Sequence, residues 1–189
     1  MSAGDPVSAG SVREAETVTE SVAESVIDAV PGAHMRREIA QQPACYERLL
    51  ADRSQVRAVA QALADRDVRF VLIAARGSSD HAALYAKYLV ETTLALPCGL
   101  VSMSSLTGYG DAAREPAMAG VLWLAISQSG GSPDLLEAAR VARAAGAVTV
   151  AVTNAADSPV ARAAELHFDI DAAQERSVAA TKTYTALHR

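Results

Sequence analysis

The sequence contains few aromatic residues, two cysteines and no long apolar run, and each shortage excludes a class of protein. Aromatic residues make up 4% of the 189 residues while 50% are hydrophobic, which predicts a core of alanine and aliphatic side chains. Cys45 and Cys98 lack CxxC spacing and a nearby histidine cluster, so we expect no metal site and interpret Cys98 as a buried thiol. No apolar segment reaches the roughly 18 residues of a membrane span, and the N-terminus is unlike a signal peptide. These absences predict a cytoplasmic protein without a membrane partner.

The charge of the chain is concentrated in residues 1–33. This range contains six carboxylates and one basic residue, Arg13, which gives a net charge of −5. The whole chain also has a net charge of −5, so residues 34–189 are neutral overall. The acidic, Ser/Ala-rich composition predicts a disordered leader, although valines spaced four apart leave a weak helix over Ser11–Ala29 as an alternative. The neutral remainder lacks the basic surface that nucleic acids require, so no nucleic-acid partner is expected.

Apolar strands alternate with helices after the leader. The predicted strands are 68–75, 97–103, 121–127, 147–153 and 166–170. The first three predicted helices are 35–50 with a break at Pro43, 55–66 capped by Ser54, and 81–96. A fourth helix has Ser132 as its cap, Pro133 at its first position and Gly146 after its end, and a last helix starts at about Val178. This alternation predicts an α/β fold with a five-stranded parallel sheet covered by helices on both faces, and fold analogy gives the strand order 2-1-3-4-5. Residues 35–65 are expected to form leading helices and residues 66–189 the sheet domain.

Two loops rich in hydroxyl groups follow strands 1 and 3, which are neighbours in this order. The expected ligand site of such a sheet is the crevice at the carboxyl ends of these strands. Phosphate binding requires converging amide and hydroxyl donors beside a helix N-terminus, with glycine allowing close approach of the backbone. The predicted binding residues are Gly77, Ser78 and Ser79 on one wall and Ser127, Gln128, Ser129, Gly130, Gly131 and Ser132 on the other. The alternative is that each of the two loops is an ordinary turn with a capping serine.

Other phosphate and catalytic motifs are missing from the sequence. There is neither a GxxxxGKS/T phosphate loop nor a GxGxxG dinucleotide fingerprint, and Ser127 stands where a nucleophile elbow needs glycine. Asp80 and His81 are adjacent in sequence, which is poor geometry for a catalytic triad, so His81 is interpreted as a surface residue at a helix start. His167 falls in a predicted strand and is assigned to the core or its rim. We therefore predict no catalytic residue and no cofactor in this chain.

Four separated segments resemble one known family. They read MRREIAQQPACYERLL, VLIAARGSSDHAALYAKYLVE, LAISQSGGSPDLLEAAR and ERSVAATKTYT, and together span about residues 35–189. They resemble the sugar isomerase (SIS) domain, in particular the isomerase half of glucosamine-6-phosphate synthases and the SIS-type glucosamine-6-phosphate deaminases. The resemblance implies a three-layer α/β/α domain that binds a phosphosugar.

The resemblance also assigns residues in the last segment. It implies that Val178 contacts the sugar through its backbone, whereas Ala180 stands where the family often has serine and loses a polar contact. Glu175 and Lys182 match the family's E…TK segment. From the residues alone, a structural salt bridge of Lys182 is as good an interpretation as a ligand contact.

Family enzymes carry two such domains in tandem, and their catalytic base lies outside the part that resembles this chain. The first hypothesis is therefore the phosphosugar-binding half of an aminosugar-phosphate isomerase or deaminase, which is catalytically incomplete alone and lacks its second SIS domain. The second hypothesis is a non-catalytic sugar-phosphate sensor or regulatory subunit. A third is a phosphate binder unrelated to sugars. The expected partners are a small phosphosugar and either further copies of the chain or a second SIS domain.

Overall fold

The computed structural model describes residues 30–107, 117–177 and 179–187. The alternative helix over Ser11–Ala29 and the proposed sugar contact Val178 lie outside the described residues. No helix within the described ranges is long and apolar enough to cross a membrane.

The described residues alternate between helices and strands much as the apolar pattern predicts. The strands are β1 (Phe70–Ala75), β2 (Cys98–Leu100), β3 (Val121–Ser127), β4 (Val148–Thr153) and β5 (Leu166–Asp169). The helices are α1 (Ala33–Ala40), α2 (Gln42–Ala51), α3 (Ser54–Ala64), α4 (Ser78–Thr93), α5 (Met103–Thr107), α6 (Pro133–Ala144), α7 (Pro159–Ala163) and α8 (Thr181–Ala186).

The five strands form one parallel sheet in the order β2-β1-β3-β4-β5, which confirms the predicted topology. On one face of the sheet, Trp123 is fully buried beneath α6, which contributes the buried alanines Ala138, Ala139 and Ala142. On the other face, Ile73 and Ile126 pack with Ala83 of α4. The core beneath α6 is thus rich in alanine, as the composition predicts.

The leading helices α1 and α2 pack against α8. Cys45 and Leu49 of α2 form a small buried cluster with Ile170 and with Ala186 of α8. Cys98 is buried at the first residue of β2, as predicted. The two leading helices α1 and α2 meet at Gln41, and Pro43 lies in the first turn of α2, where its missing N–H costs nothing.

Several predicted boundaries are corrected by local hydrogen bonding. Ser54 does not cap α3 but is its first residue, and its N–H donates to Asp52 Oδ1 at 2.8 Å. Helix α4 begins at Ser78 rather than residue 81, because Gly77 takes the N-terminal capping position. Helix α8 begins at Thr181 rather than near residue 178. The five-residue helices α5 and α7 had no counterpart in the sequence prediction.

Candidate functional site

The two hydroxyl-rich loops leave the sheet side by side. Ala75, the last residue of β1, pairs with Ile126, so the chain enters both loops at the carboxyl edge of adjacent strands, about 5 Å apart. An ion pair joins the loops directly, since Arg76 Nη1 lies 2.7 Å from Asp134 Oδ2 at the start of α6. The structure therefore brings the two predicted walls together at the carboxyl edge of β1 and β3.

The second wall is the serine loop, residues 127–132, whose hydroxyls organise its own backbone. Ser127 Oγ accepts a hydrogen bond from Gly130 N at 3.1 Å, and Ser129 Oγ accepts one from Gly131 N at 3.3 Å. Ser127 is almost buried, whereas Ser129 is exposed. Because both hydroxyls act as acceptors in these bonds, each can still donate its own proton to a ligand.

Gly130 fixes the serine loop against the connection that follows β4. Its φ of +60° lies in the left-handed region, and an added Cβ would lie 2.1 Å from Ser158 Oγ. Val160 N donates to Gly130 O at 3.1 Å, and Asn154 N donates to Gln128 O at 3.0 Å. A side chain at position 130 is therefore excluded by both conformation and space.

The serine loop ends at the N-terminus of α6, as predicted. Ser132 takes the capping position with Pro133 after it, but its side chain makes no capping hydrogen bond within the described part of the chain. The half-buried hydroxyl of Ser132 is thus not engaged in closing the helix. Asp134, in the first turn, places a carboxylate here and binds Arg76, a cation that the sequence prediction missed.

The first wall is the loop after β1 and the first turn of α4. Gly77 has a φ of +60°, and no atom lies within 4 Å of the Cβ it lacks. Ser78 is half-buried, and Ser79 is buried with 3% of its surface exposed. Asp80 and His81 follow on the exposed side of α4, in agreement with the assignment of His81 to the surface.

The segment before α8 is held by two carboxylates, those of Glu175 within the segment and of Glu38 on α1. Glu175 Oε1 accepts hydrogen bonds from the backbone N–H groups of Lys182 at 2.7 Å and Thr183 at 3.1 Å, and Glu175 Oε2 accepts one from the Thr183 hydroxyl. Glu175 thus satisfies free donors at the start of α8. Ala180 occupies the capping position and has no polar side chain to offer there.

Lys182 is 2% exposed and anchors the same segment to the leading helices. Its Nζ donates to Gln41 Oε1 at 3.0 Å and to Gln174 O at 2.7 Å. Lys182 lines two cavities of about 240 and 330 Å³ beside α1 and α2. In this structure the ammonium is used to hold the backbone, and Glu175 binds the amide of Lys182 rather than its side chain.

Glu38 of α1 holds the same segment through contacts that the sequence prediction missed. It is 5% exposed, and its carboxylate accepts hydrogen bonds from the backbone N–H groups of Arg176 and Ser177 and from the Ser177 hydroxyl. Burial raises the pKa of Glu38, but these hydrogen bonds outweigh burial and hold the pKa below its ordinary value. The bonds fix the two residues that directly precede Val178.

His167 lies on β5, which is separated from β3 by β4. Its Nε2 is 2.9 Å from Thr153 Oγ1, and burial lowers its pKa. The half-buried ring therefore favours the neutral form and belongs to the rim of the sheet, as predicted.

Comparison with known proteins gives a consistent result. Residues 66–188 match the SIS domain family. The chain is 38% identical over 159 residues to the glutamine–fructose-6-phosphate aminotransferase (isomerizing) of Thermus thermophilus, covering 82% of this chain and 26% of that protein. It spans about a quarter of the length of such curated relatives.

Two solved structures share the fold. One, a candidate phosphosugar isomerase from Silicibacter pomeroyi DSS-3, matches with a TM-score of 0.75 and 42% identity, covering 82% of this chain and 47% of that chain. The other, the C-terminal domain of glucosamine-fructose-6-phosphate aminotransferase from Francisella tularensis, matches with a TM-score of 0.68 and 29% identity, covering 85% and 46%. The family match and the identity to these relatives establish that this chain belongs to the SIS domain family.

Proposed function

We propose that the chain binds an aminosugar phosphate or a related hexose phosphate in the crevice between the serine loop and the first turn of α4. In this proposal it is one phosphosugar-binding unit of an aldose–ketose aminosugar-phosphate isomerase or deaminase. The observation that carries the proposal is the convergence of two hydroxyl-rich loops at the carboxyl edge of adjacent strands. Similarity to the aminotransferases named above supports an aminosugar lineage.

The phosphate is assigned to the serine loop. Hydroxyl donors of the loop and the free N–H groups at the start of α6 suit a dianion. The residues proposed to bind it are Ser127, Gln128, Ser129, Gly130 and Ser132. The sugar would then extend toward Gly77, Ser78 and Ser79 and toward Val178 and Ala180, which follow the Glu38-bound residues Arg176 and Ser177 in the chain.

Phosphate alone should bind weakly at such a site. Each hydrogen bond to a charged group contributes about 1.5–3 kcal/mol, while association costs about 4–15 kcal/mol. Contacts to the sugar must supply the remainder, so we expect a dissociation constant in the micromolar to millimolar range for the phosphosugar.

Calorimetry with fructose 6-phosphate and inorganic phosphate tests the site. We expect the sugar phosphate to bind more tightly, and Ser129→Asp to weaken it at least tenfold because the new carboxylate repels the dianion. Gln61→Glu is the matched control because it also adds one negative charge. Gln61 is exposed on α3, the helix that precedes the amino end of β1, whereas the proposed site lies at the carboxyl ends of the strands. Equal affinities for both ligands would favour a simple phosphate binder, and an unaffected Ser129→Asp would refute the assigned loop.

We propose further that residues 1–189 bind without turnover. Proton transfer between C1 and C2 of the sugar needs a base of suitable pKa within reach of the crevice. His81 is exposed on α4, and His167 on β5 is hydrogen-bonded to Thr153 of β4. Robust isomerisation of glucosamine 6-phosphate by the purified chain would contradict this part of the proposal while leaving phosphosugar binding intact.

The domain organisation belongs to the same proposal. Residues 1–33 are proposed as an acidic leader and residues 34–189 as a single phosphosugar-binding unit. We propose that this unit completes its surface by associating with a second copy or a second SIS domain. Sedimentation of the chain with and without fructose 6-phosphate tests whether association depends on the ligand.

A further inference from the structure

One face of the sheet is incompletely covered between α3, α4 and α8. A cavity of about 350 Å³ opens there, and every residue that lines it is apolar. Leu124 and Val152, on the interior strands β3 and β4, are only half-buried, and Val56 of α3 is 38% exposed. We refer to this cavity as the sheet-face groove, and its lining includes Val56, Val59, Leu63, Leu124, Val152 and Phe168.

An apolar groove on a parallel sheet is an unfinished part of a core. Strands of such sheets normally have both faces covered by helices. On the opposite face of this sheet, α6 provides that cover with Ala138 and Ala139 fully buried. A groove of this kind suits the apolar side of an amphipathic helix, whose contact residues recur every three or four positions.

The leader contains a sequence with this spacing that the proposed function does not use. Valines recur every four residues, and carboxylates recur every four residues with an offset of two. The valine row is Val18, Val22, Val26 and Val30, and the carboxylate row is Glu16, Glu20, Glu24 and Asp28. An offset of two residues is about 200° around a helix, so the two rows would lie on opposite sides of one.

We propose that residues 15–29 bind the sheet-face groove of the same chain as an amphipathic helix. The valine row packs on the half-buried side chains of Leu124 and Val152, and the carboxylate row faces solvent. Valine, threonine and serine are weak helix formers, so this segment is a marginal helix by itself and the groove supplies its stability. The leader thereby completes the cover of the sheet.

Position, length and charge favour the leader as the occupant. Its last valine, Val30, lies three residues before α1, and α1 packs against α8, whose Ala186 lines the groove. A helix over residues 15–29 is about 22 Å long, which exceeds the length of about 16 Å expected for the 11 residues of α3. Helix α3 carries Arg57 and no carboxylate, so its charge complements the acidic leader.

The covalent connection also separates this contact from an encounter between two molecules. A tethered segment binds at an effective concentration set by its linker, so the occupancy of the groove does not depend on protein concentration. A second copy or another protein in the groove would make the occupancy depend on concentration. The proposal involves none of the residues assigned to the phosphosugar, so it stands or falls separately from the proposed function.

Thiol labelling of the full chain tests the contact. Ala60→Cys places a thiol in the groove, since Ala60 lines the groove and is exposed, whereas the native thiols of Cys45 and Cys98 are buried. We expect Ellman's reagent to label this thiol at least about tenfold faster when Val22→Asp is added, because the carboxylate drives the valine row out of the groove. Thr17→Asp is the matched control, since it adds the same charge to the leader on the side of the carboxylate row.

Three results of the labelling experiment overturn the proposal. The first is a labelling rate unchanged by Val22→Asp, and the second is an equal acceleration by Thr17→Asp. The third is protection that increases with protein concentration, which would give the groove to a second copy. Circular dichroism of each variant checks that the sheet domain is folded, and Val22→Asp should also lose the helical signal of the leader.

A crosslinking series tests which side of the leader enters the groove. Each chain combines Ala60→Cys with one further cysteine in the leader and is oxidised at low concentration. At least one of Val18→Cys, Val22→Cys and Val26→Cys should give an intramolecular disulfide with position 60. Crosslinks that form equally well with Glu16→Cys, Glu20→Cys and Glu24→Cys, or that join two chains, would contradict the proposed helix.

Discussion

Replacing Glu38 by glutamine tests whether α1 holds the segment at Arg176 and Ser177, which precedes the proposed sugar contacts. The carboxylate accepts hydrogen bonds from Arg176 N, Ser177 N and Ser177 Oγ while only 5% exposed. Glutamine keeps one acceptor oxygen but loses the charge and the second acceptor. Because hydrogen bonds to a charged group contribute about 1.5–3 kcal/mol, we expect Glu38→Gln to lower the free energy of unfolding by about that amount.

The effect should depend on pH in a defined direction. The folded-state pKa of Glu38 lies below its ordinary value of 4.5, so its stabilisation is present above that value and is lost as the pH falls through the folded-state pKa. The difference between wild type and Glu38→Gln should therefore be full near neutral pH and shrink in acid. Urea unfolding at a series of pH values measures both quantities.

Glu137→Gln is the matched control for this experiment. Glu137 is exposed on α6 and forms a loose 3.9 Å ion pair with Arg140, so its loss should cost about 0.5 kcal/mol or less. A melting temperature provides a second measurement, with an expected decrease of about 3–12 °C for Glu38→Gln. A destabilisation equal to that of the control, or one that does not decline in acid, would refute the role given to Glu38.

Three further predictions concern the crevice and the core. Gly130→Ala should destabilise the chain by at least about 2 kcal/mol because Gly130 has a φ of +60° and an added Cβ would clash with Ser158. Gly131→Ala should cost little, because its Cβ would lie 3.6 Å from Ser129 Oγ. Thermal unfolding compares the two variants. Asp134→Asn should tighten fructose 6-phosphate binding by releasing Arg76 and removing a carboxylate from the crevice, and calorimetry showing weaker binding would contradict this. Cys45 and Cys98 are buried and burial raises the pKa of both thiols, so Ellman's reagent should label them at least about 100-fold more slowly in the folded chain than in urea.

Local sequence signals predicted the parts of the fold that depend on local chemistry. Strand β3 was predicted with its observed bounds, and α6 begins where Ser132 and Pro133 indicate. Strand order was predicted by analogy and is confirmed. Helices α5 and α7 were missed because five residues are too few for a helical period to be recognised.

The remaining errors and omissions have non-local causes. Glu38 and Ser177 are separated by 139 positions, so nothing in either segment indicates their contact. Arg76 was overlooked because its partner Asp134 lies on another loop, 58 positions away. Helix α8 starts late because Glu175 accepts from the amides of Lys182 and Thr183, which fixes the first turn there.

Gly77 and Gly130 give the two walls of the proposed site unequal freedom to adjust. Gly130 is wedged against Ser158 and tied to Val160, whereas the space around the missing Cβ of Gly77 is open to 4 Å. Accommodation of sugars that differ in size or stereochemistry would therefore fall to the Gly77 side, with the serine loop acting as a rigid template. Variation in ligand preference among engineered forms of this chain should accordingly be sought near Gly77, and changes at position 158 should be confined to side chains as small as serine.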